Sequence, residues 1–532
     1  MKRRKKPLFT GSDWLVPQIE QGWEVINKIA KEKYGWEGYP VQFEIVSSLQ
    51  MLDSYTTIGM PVYYSHWSFG KRQIQAQKDY ESGQNRGMAY EMIINTNPSI
   101  CYIMEDNDMM MQLLVTAHAA VGHNHFFKNN YLFKEWTNPE SFVDYLLYAK
   151  HYISDCEEKY GLIDVSKTLD MAHLLADYSV FKTTQVHKTK EGLRKKKTAR
   201  TEDLYRSYNP VIDGGFKEYR RSVIASHLDF GDTSENLLSF LERTNSYQTV
   251  LKDWQKEVFK IIRTIQQYFY PQGQTKLMNE GFASFAHYTL MHDLYDQGYI
   301  DDGYMLNFIH SHCDVTYQRD SGSKEGWHSI NPYALGLAMF QDIKRICENP
   351  TQEDIDFLPQ YANTDWVKSI NSIVANYRDE SFIREFLSPT IIRKFKLFSI
   401  STKEEMTKYE IGATHNVTNY ELIRDKLATS YTWENYHPDI LIKCTSETSR
   451  LGEVAREVAE EAGLTLKNKG ESSLANYDDL VITLSDHQNN KFDEEGLDML
   501  WIYLAVIWKG KVSILVKSRD GDILQKKDGI VG

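Results

Sequence analysis

Apolar residues recur at helical spacing through most of residues 1–400, and proline, which interrupts helices, occurs 13 times in 532 residues. A chain patterned this way must bury one stripe of each helix against other helices, so a mainly α body with a few strands is expected. "DWLVPQIEQGWEVINKIAKEKYG" opens with an amphipathic helix that stops near Gly35. "GMAYEMIINTNPSICYIM" has a β-prone core ending in a turn at Asn97-Pro98. "EDNDMMMQLLVTAHAAVG" reads as a helix, with Asp106 or Asn107 as its cap and Gly122 at its end. Two helices are expected within 140–185. A long helix over 237–270 is stopped by Pro271 and Gly273, and Thr275 caps the next one.

The pattern changes after about residue 400. "DILIKCTS", "LVITLSDH" and "YLAVIWKGKVSILVKS" are strand-like, the last with a hairpin at Lys509-Gly510, and "SRLGEVAREVAEEAG" is a helix between strands. The length exceeds what one core usually serves. The organisation expected is therefore a helical domain, 1–400, with a basic excursion at about 186–236, and a small α/β domain, 401–532.

Charge and cysteine usage narrow the class. A formal charge of −12 argues against whole-body binding of nucleic acid, although "KRRKK" at the N-terminus and "KTKEGLRKKKTAR" at 188–200 run against that balance. Such blocks are solvated segments or docking sites for an acidic partner. Five widely spaced cysteines without a CxxC pair favour a reducing compartment. "MKRRKKPLFT" begins like a signal peptide, but no apolar stretch follows it, and no run reaches the ~18 apolar residues of a membrane span. A cytoplasmic protein is expected.

Thirteen of the 16 histidines precede residue 330, so any chemistry belongs to the N-terminal body. "HAAVGHNHFF" places His118, His123 and His125 within eight residues. On an ideal helix His118 and His123 are about 140° apart, so they converge only if Gly122 ends or loosens the helix. "LMNEGFASFAHY" puts Glu280, Ser284 and His287 on one helical face, with Glu280 and His287 ~10 Å apart along the axis. Two imidazoles, a carboxylate and an open position make up a catalytic zinc site. His118, His123 and Glu280 would be the ligands, with His287 behind them or handling a proton. The same residues could equally form a hydrogen-bonded polar network in a packed core. Glu91 alternates with apolar neighbours and points inward as a general base, a ligand or half of a buried salt bridge. His310, His312, His328 and Asn331 could form a second rim of the cleft. His66, Lys71 and Arg72 read first as a surface turn.

The segments "HWSFGK", "YEMIINTNPSICYIME", "HAAVGHNHFFKNNYLF", "MNEGFASFAHY" and "INPYALGLAMFQDIKRIC" occur in the order found in the SpoVR family, the stage V sporulation protein R group. The chain resembles that family strongly over about residues 10–400. The resemblance implies a role in forming the spore cortex or in stress-linked regulation of the cell envelope. It also implies association with a PrkA-type serine protein kinase and a third protein of the same gene cluster. It includes His118, His123 and the block from Glu280 to His287, whereas His125 is less fixed. "MNEGFA" is also similar to the segment of gluzincin metallopeptidases whose glutamate binds zinc, which points to Glu280. Those enzymes carry their general base one residue after the first histidine, where this chain has Ala119; Glu91 or Glu105 would have to replace it. Two readings follow: a zinc-dependent hydrolase, and a non-enzymatic regulatory protein acting with the kinase.

Overall fold

The computed structural model describes residues 7–9, 11–57, 59–69, 71–72, 91–180, 236–244, 249–318 and 330–397. Beyond these it describes 400–402, 409–411, 417–431, 439–445, 479–486, 494–518 and 523–529. The chain is mainly helical with small sheets, as its pattern requires. It forms two compact units, Met1–Asp155 with Tyr268–Thr432, and Cys156–Gln267 with Trp433–Gly532. The boundary near residue 400 drawn from composition stays a proposal. The basic stretch 188–200 and the helix expected at 449–463 lie outside the described residues.

In the first unit, β1 (Val41–Val46) runs parallel to β3 (Ser99–Met104), and β2 (Glu91–Ile94) pairs antiparallel on the other side of β3. The turn between β2 and β3 falls at Asn97-Pro98, as expected. The first helix, Val16–Tyr34, ends on Gly35, whose φ of 64° is the left-handed conformation that a β-carbon disfavours. Large aromatic side chains fill the centre of the unit. Trp36 stands edge-on to Phe282, and Phe282 and Phe285 pack against Phe340. This core holds the helix Lys276–Asp296 between the histidine-bearing helix and Pro332–Glu348. A β4–β5 hairpin (Ile400–Thr402, Tyr409–Ile411) and the helix Val417–Ser430 also belong to this unit.

The second unit contains the sheet β6 (Asp439–Thr445), β7 (Asp479–Asp486), β8 (Val512–Ser518) and β9 (Ile523–Gly529), in that order. Its helix Glu494–Ile507 replaces the expected strand at 503–507, so there is no hairpin at Lys509-Gly510. The buried positions Leu497, Leu500, Leu504 and Ile507 are three or four apart, and this helical stripe overrides the β preference of the individual residues.

Four more expectations about helix ends differ from the structure. The expected 237–270 helix is two, Leu237–Arg243 and Asp253–Gln274, broken where Thr244 turns extended. Pro271 does not stop the second helix, which continues to Gln274 although the proline cannot donate to the carbonyl four residues back, that of Gln267. Thr275 precedes the next helix but makes no side-chain cap, its hydroxyl donating instead to the carbonyl of Pro271. The cap of the histidine-bearing helix is Asp108, one residue beyond the two expected, whose carboxylate accepts from the Met111 amide. No helix among the described residues is long and apolar enough to cross a membrane, and Cys101, Cys313 and Cys347 are free thiols.

Candidate metal centre

Gly122 neither ends the helix nor leaves it regular. Met109–Val115 is α-helical, Thr116–His123 is π-helical, and Asn124–Asn129 resumes the α form. A π turn bonds residues five apart, so the five-residue interval between His118 and His123 becomes nearly one turn. Their ring centroids lie 4.7 Å apart, edge to face. The convergence that an α-helix would prevent is produced by the backbone itself.

Two other elements supply carboxylates. Glu91, at the start of β2, places Oε1 2.9 Å from His118 Nε2. Glu280, from Lys276–Asp296, places Oε2 3.7 Å from His118 Nε2 and 3.4 Å from His123 Nε2. Glu91, His118 and His123 each offer a ligand atom within 4.8 Å of the others, and Glu280 lies beside both imidazoles. Thus the residues singled out in sequence meet, with Glu91 nearer the two imidazoles' shared space than sequence spacing could indicate. Glu105, the other substitute for the missing base, is exposed.

Burial sets the electrostatics. Desolvation disfavours a charge on His118, but Glu91 and Glu280 outweigh it and raise the imidazole to about 9. Desolvation dominates at His123 and lowers it. Burial alone would raise Glu280, yet His123, His118 and a hydrogen bond from Tyr333 hold it below its ordinary value. Burial and the nearby carboxylates push the Tyr333 phenol up, so its hydroxyl stays protonated.

His287 stands behind His118. Its Nδ1 is 2.7 Å from His118 Nδ1 and its Nε2 is 2.7 Å from His312 Nδ1. Burial holds His287 well below the ordinary imidazole value and His312 at about 4, so both are neutral links. His312 therefore joins this chain of rings. His310 is exposed, 3.8 Å from Asp314, and His328 lies outside the described residues. Asn331 caps Pro332–Glu348. His125 accepts from the Glu37 amide, and His66 bonds Ser68. Sequence reading missed Tyr333, which lies in the "INPYALG" segment but has no spacing relation to the glutamate it bonds. It also missed Asp379, whose carboxylate accepts from the Leu277 and Met278 amides and so fixes the start of the helix bearing Glu280.

The cluster opens on a cavity of about 380 Å3 walled by Glu91, His123, Glu280 and Tyr333 together with Phe127 and Phe269. Glu91 Oε2, His118 Nε2 and Glu280 Oε2 are buried without a hydrogen-bond partner among the described residues. The 2.9 Å approach of Glu91 to His118 is an ion-pair distance without hydrogen-bond alignment. Buried polar atoms are normally satisfied, and imidazole with carboxylate is a donor set for a divalent ion such as zinc. The residues present therefore fit a metal.

A family model described as SpoVR like protein matches residues 13–436, a range that contains every residue of the cluster. The chain is 43% identical over 446 residues to the uncharacterized protein YcgB of Escherichia coli (strain K12), covering 83% of this chain and 86% of that protein. No solved structure matches.

Proposed function

The chain belongs to the SpoVR family, and from that premise we propose that His118, His123, Glu91 and Glu280 hold a divalent metal, zinc by donor type, at a hydrolytic centre. The observation that carries this reading is the convergence of ligand atoms of Glu91, His118 and His123 within 4.8 Å, beside buried atoms of Glu91, His118 and Glu280 that have no hydrogen-bond partner among the described residues. A bound metal supplies Lewis acidity and lowers the pKa of water. The chain's own residues do the rest. The second oxygen of Glu91 is available to take a proton at the cavity wall, the role for which Ala119 cannot serve. Tyr333 bonds Glu280 and presents a neutral hydroxyl toward the same cavity. His287 orients His118 and acts through it, since both its nitrogens are engaged.

The cellular side of the proposal is a cytoplasmic factor in sporulation or stress-linked envelope regulation, working with a PrkA-type serine kinase and a third protein of its gene cluster. Its support is the family resemblance. A second reading, a non-enzymatic regulatory protein with the cluster as a structural network, is favoured by one observation. His118 raised to about 9 is an imidazolium between two carboxylates, a charge arrangement that offsets one of their two negative charges without a metal.

Mass spectrometry of metal content in protein purified without added metal separates the two. The proposal expects one equivalent of metal, lost in His118→Ala and Glu280→Ala with circular dichroism unchanged. A folded parent that neither contains nor takes up zinc would overturn it and leave the network.

A further inference from the structure

β2 is an edge strand: β3 pairs with it on one side, and no strand among the described residues pairs on the other. Hydrogen bonds on both sides of the sheet fix which main-chain groups face the open edge. The amides of Ser99 and Glu105 donate to Pro40 and Val46, on the β1 side of β3. Main-chain direction alternates along a strand, so Ile100 and Tyr102 turn toward β2, and their partners Ile94 and Met92 turn toward β3. Glu91 and Ile93 then point outward. Accordingly, the Tyr55 hydroxyl donates to the Glu91 carbonyl, and the Tyr268 hydroxyl donates to that of Asn95, the next outward position. Between these two tyrosines, the N–H and C=O of Ile93 bond nothing among the described residues.

This gap opens on the cavity of the candidate metal centre. Glu91 to Asn95 line that cavity without a break, together with Tyr55 and Tyr268. Side chains of a strand alternate between faces, so an unbroken run lines a cavity along the strand's edge rather than with one face. Glu91 and Ile93 share a face. The side chain of Glu91 reaches His118, and that of Ile93 packs on the apolar cluster that includes Val115 and Ala119 of the histidine-bearing helix. Two strand residues span about 7 Å, so the open main-chain pair lies within one side-chain length of the cluster.

A free N–H and C=O on one residue of an edge strand are matched together by another extended main chain, which bonds both. We infer that this edge takes an extended polypeptide segment, paired with Ile93 as a further strand and passing Glu91, with a bulky apolar side chain among Phe127, Phe133 and Phe269. That this segment is the substrate rests on the hydrolytic reading above. Cleavage then consumes one water and breaks one peptide bond; the water oxygen joins the carbonyl carbon, and Glu91 passes a proton to the departing nitrogen. The pairing itself needs no metal.

Fluorescence anisotropy of fluorescein-labelled β-casein, a chain without a stable fold, tests the pairing on the full chain with and without added zinc. Casein binds in both states. Ile93→Pro removes the outward amide hydrogen but no bond to β3, and an edge strand tolerates proline. It weakens binding about tenfold, the effect of one main-chain hydrogen bond left unmade, with zinc uptake and the thermal transition in place. If Ile93→Pro does not fold, hydrogen exchange in the parent decides, because bound casein slows the Ile93 amide. No binding of casein, binding unchanged in folded Ile93→Pro, or an Ile93 amide that exchanges equally fast with casein present would overturn the pairing. So would a dimer of the parent that Ile93→Pro dissolves. Casein that binds but is not cleaved by zinc-loaded protein leaves the pairing and removes the hydrolytic reading; zinc taken up without casein binding does the reverse.

Discussion

A β-carbon on Gly122 would lie 2.6 Å from the Cα of Ala283, so the π-helical segment and the helix carrying Glu280 touch backbone to backbone. On the other side of that helix, a β-carbon on Gly281 would lie 2.5 Å from the Cα of Gly336. Three helices are thus drawn together at one level by three glycines and an alanine, and His118, His123, Glu280 and Tyr333 sit beside those crossings.

Gly122→Ala should therefore push the helices apart. Overpacking of this kind costs roughly 1–3 kcal/mol, and the shift also separates Glu280 from the imidazoles. Chemical denaturation should show the loss, and zinc titration a weakened uptake. Gly273→Ala is the control: nothing lies within 4 Å of its added carbon, and helical glycine to alanine is neutral or stabilising by up to about 1 kcal/mol. Equal stability of Gly122→Ala and the control would refute the close-packing account.

Much of this arrangement was legible in sequence, and the remainder was not for identifiable reasons. Helical spacing gave the body, and the pairing of a glycine with two histidines raised the question of convergence at Gly122. Spacing could not distinguish a helix that ends there from one that loosens into a π turn, because both put residues five apart on one side. Glu280 and His287 were visible as one helical face. Glu91 was visible only as an inward carboxylate on a strand, since its partner is 27 positions away and reached through the fold. Tyr333 and Asp379 act through contacts between distant helices, and no local pattern announces them. In the tail, individual β preferences misread 503–507, where the stripe from Leu497 to Ile507 was the better guide.

The raised pKa of His118 predicts a pH-dependent stability in metal-free protein. An unfolded histidine titrates near ~6.5 and the folded one at about 9. Between these values the folded state holds more protons, so the stability His118 contributes is complete below ~6.5 and is lost as pH rises through 9. The span corresponds to a difference on the order of 3 kcal/mol between parent and His118→Gln. Parallel denaturation curves at pH 6 and pH 9.5 measure it. Zinc titration in buffers of different ionisation enthalpy should also release about one proton at pH 7.5, because the metal replaces the proton on His118. No release, with zinc bound, would show that His118 is neutral.

His287 and His312 should set which nitrogen of His118 faces the metal. If Nε2 is the ligand, Nδ1 carries hydrogen and donates to His287 Nδ1, whose Nε2–H donates in turn to His312 Nδ1. Such supporting partners typically contribute 10–100-fold in metal affinity. His312→Leu should weaken zinc binding within that range, and nitrogen chemical shifts should show His287 redistributed between its tautomers. His312→Gln, which keeps a hydrogen-bonding group, should restore part of the affinity. Unchanged tautomers in His312→Leu would leave the residue a merely structural role.

Asp379 anchors the glutamate helix from a different part of the chain. It is buried, and its two oxygens accept from the Leu277 and Met278 amides at 2.8 Å each. Asp379→Ala leaves both donors without their acceptor and should cost roughly 1–3 kcal/mol. Glu280 follows Met278 by two residues, so a frayed helix start displaces it and zinc affinity should fall with stability. Asp379→Asn keeps one acceptor oxygen and should lie between parent and alanine. The sign of its pH dependence is fixed by burial, which pushes the Asp379 carboxyl up to about 7 against the pull of the two amides. From an unfolded value near ~3.9 up to 7 the folded state binds the extra proton, so the parent's advantage over Asp379→Asn is largest in acid and shrinks as pH rises to 7. Denaturation of both proteins at pH 4.5 and pH 7.5 would show the gap narrowing; a gap that widens with pH would mean that the amides hold the group as a carboxylate throughout.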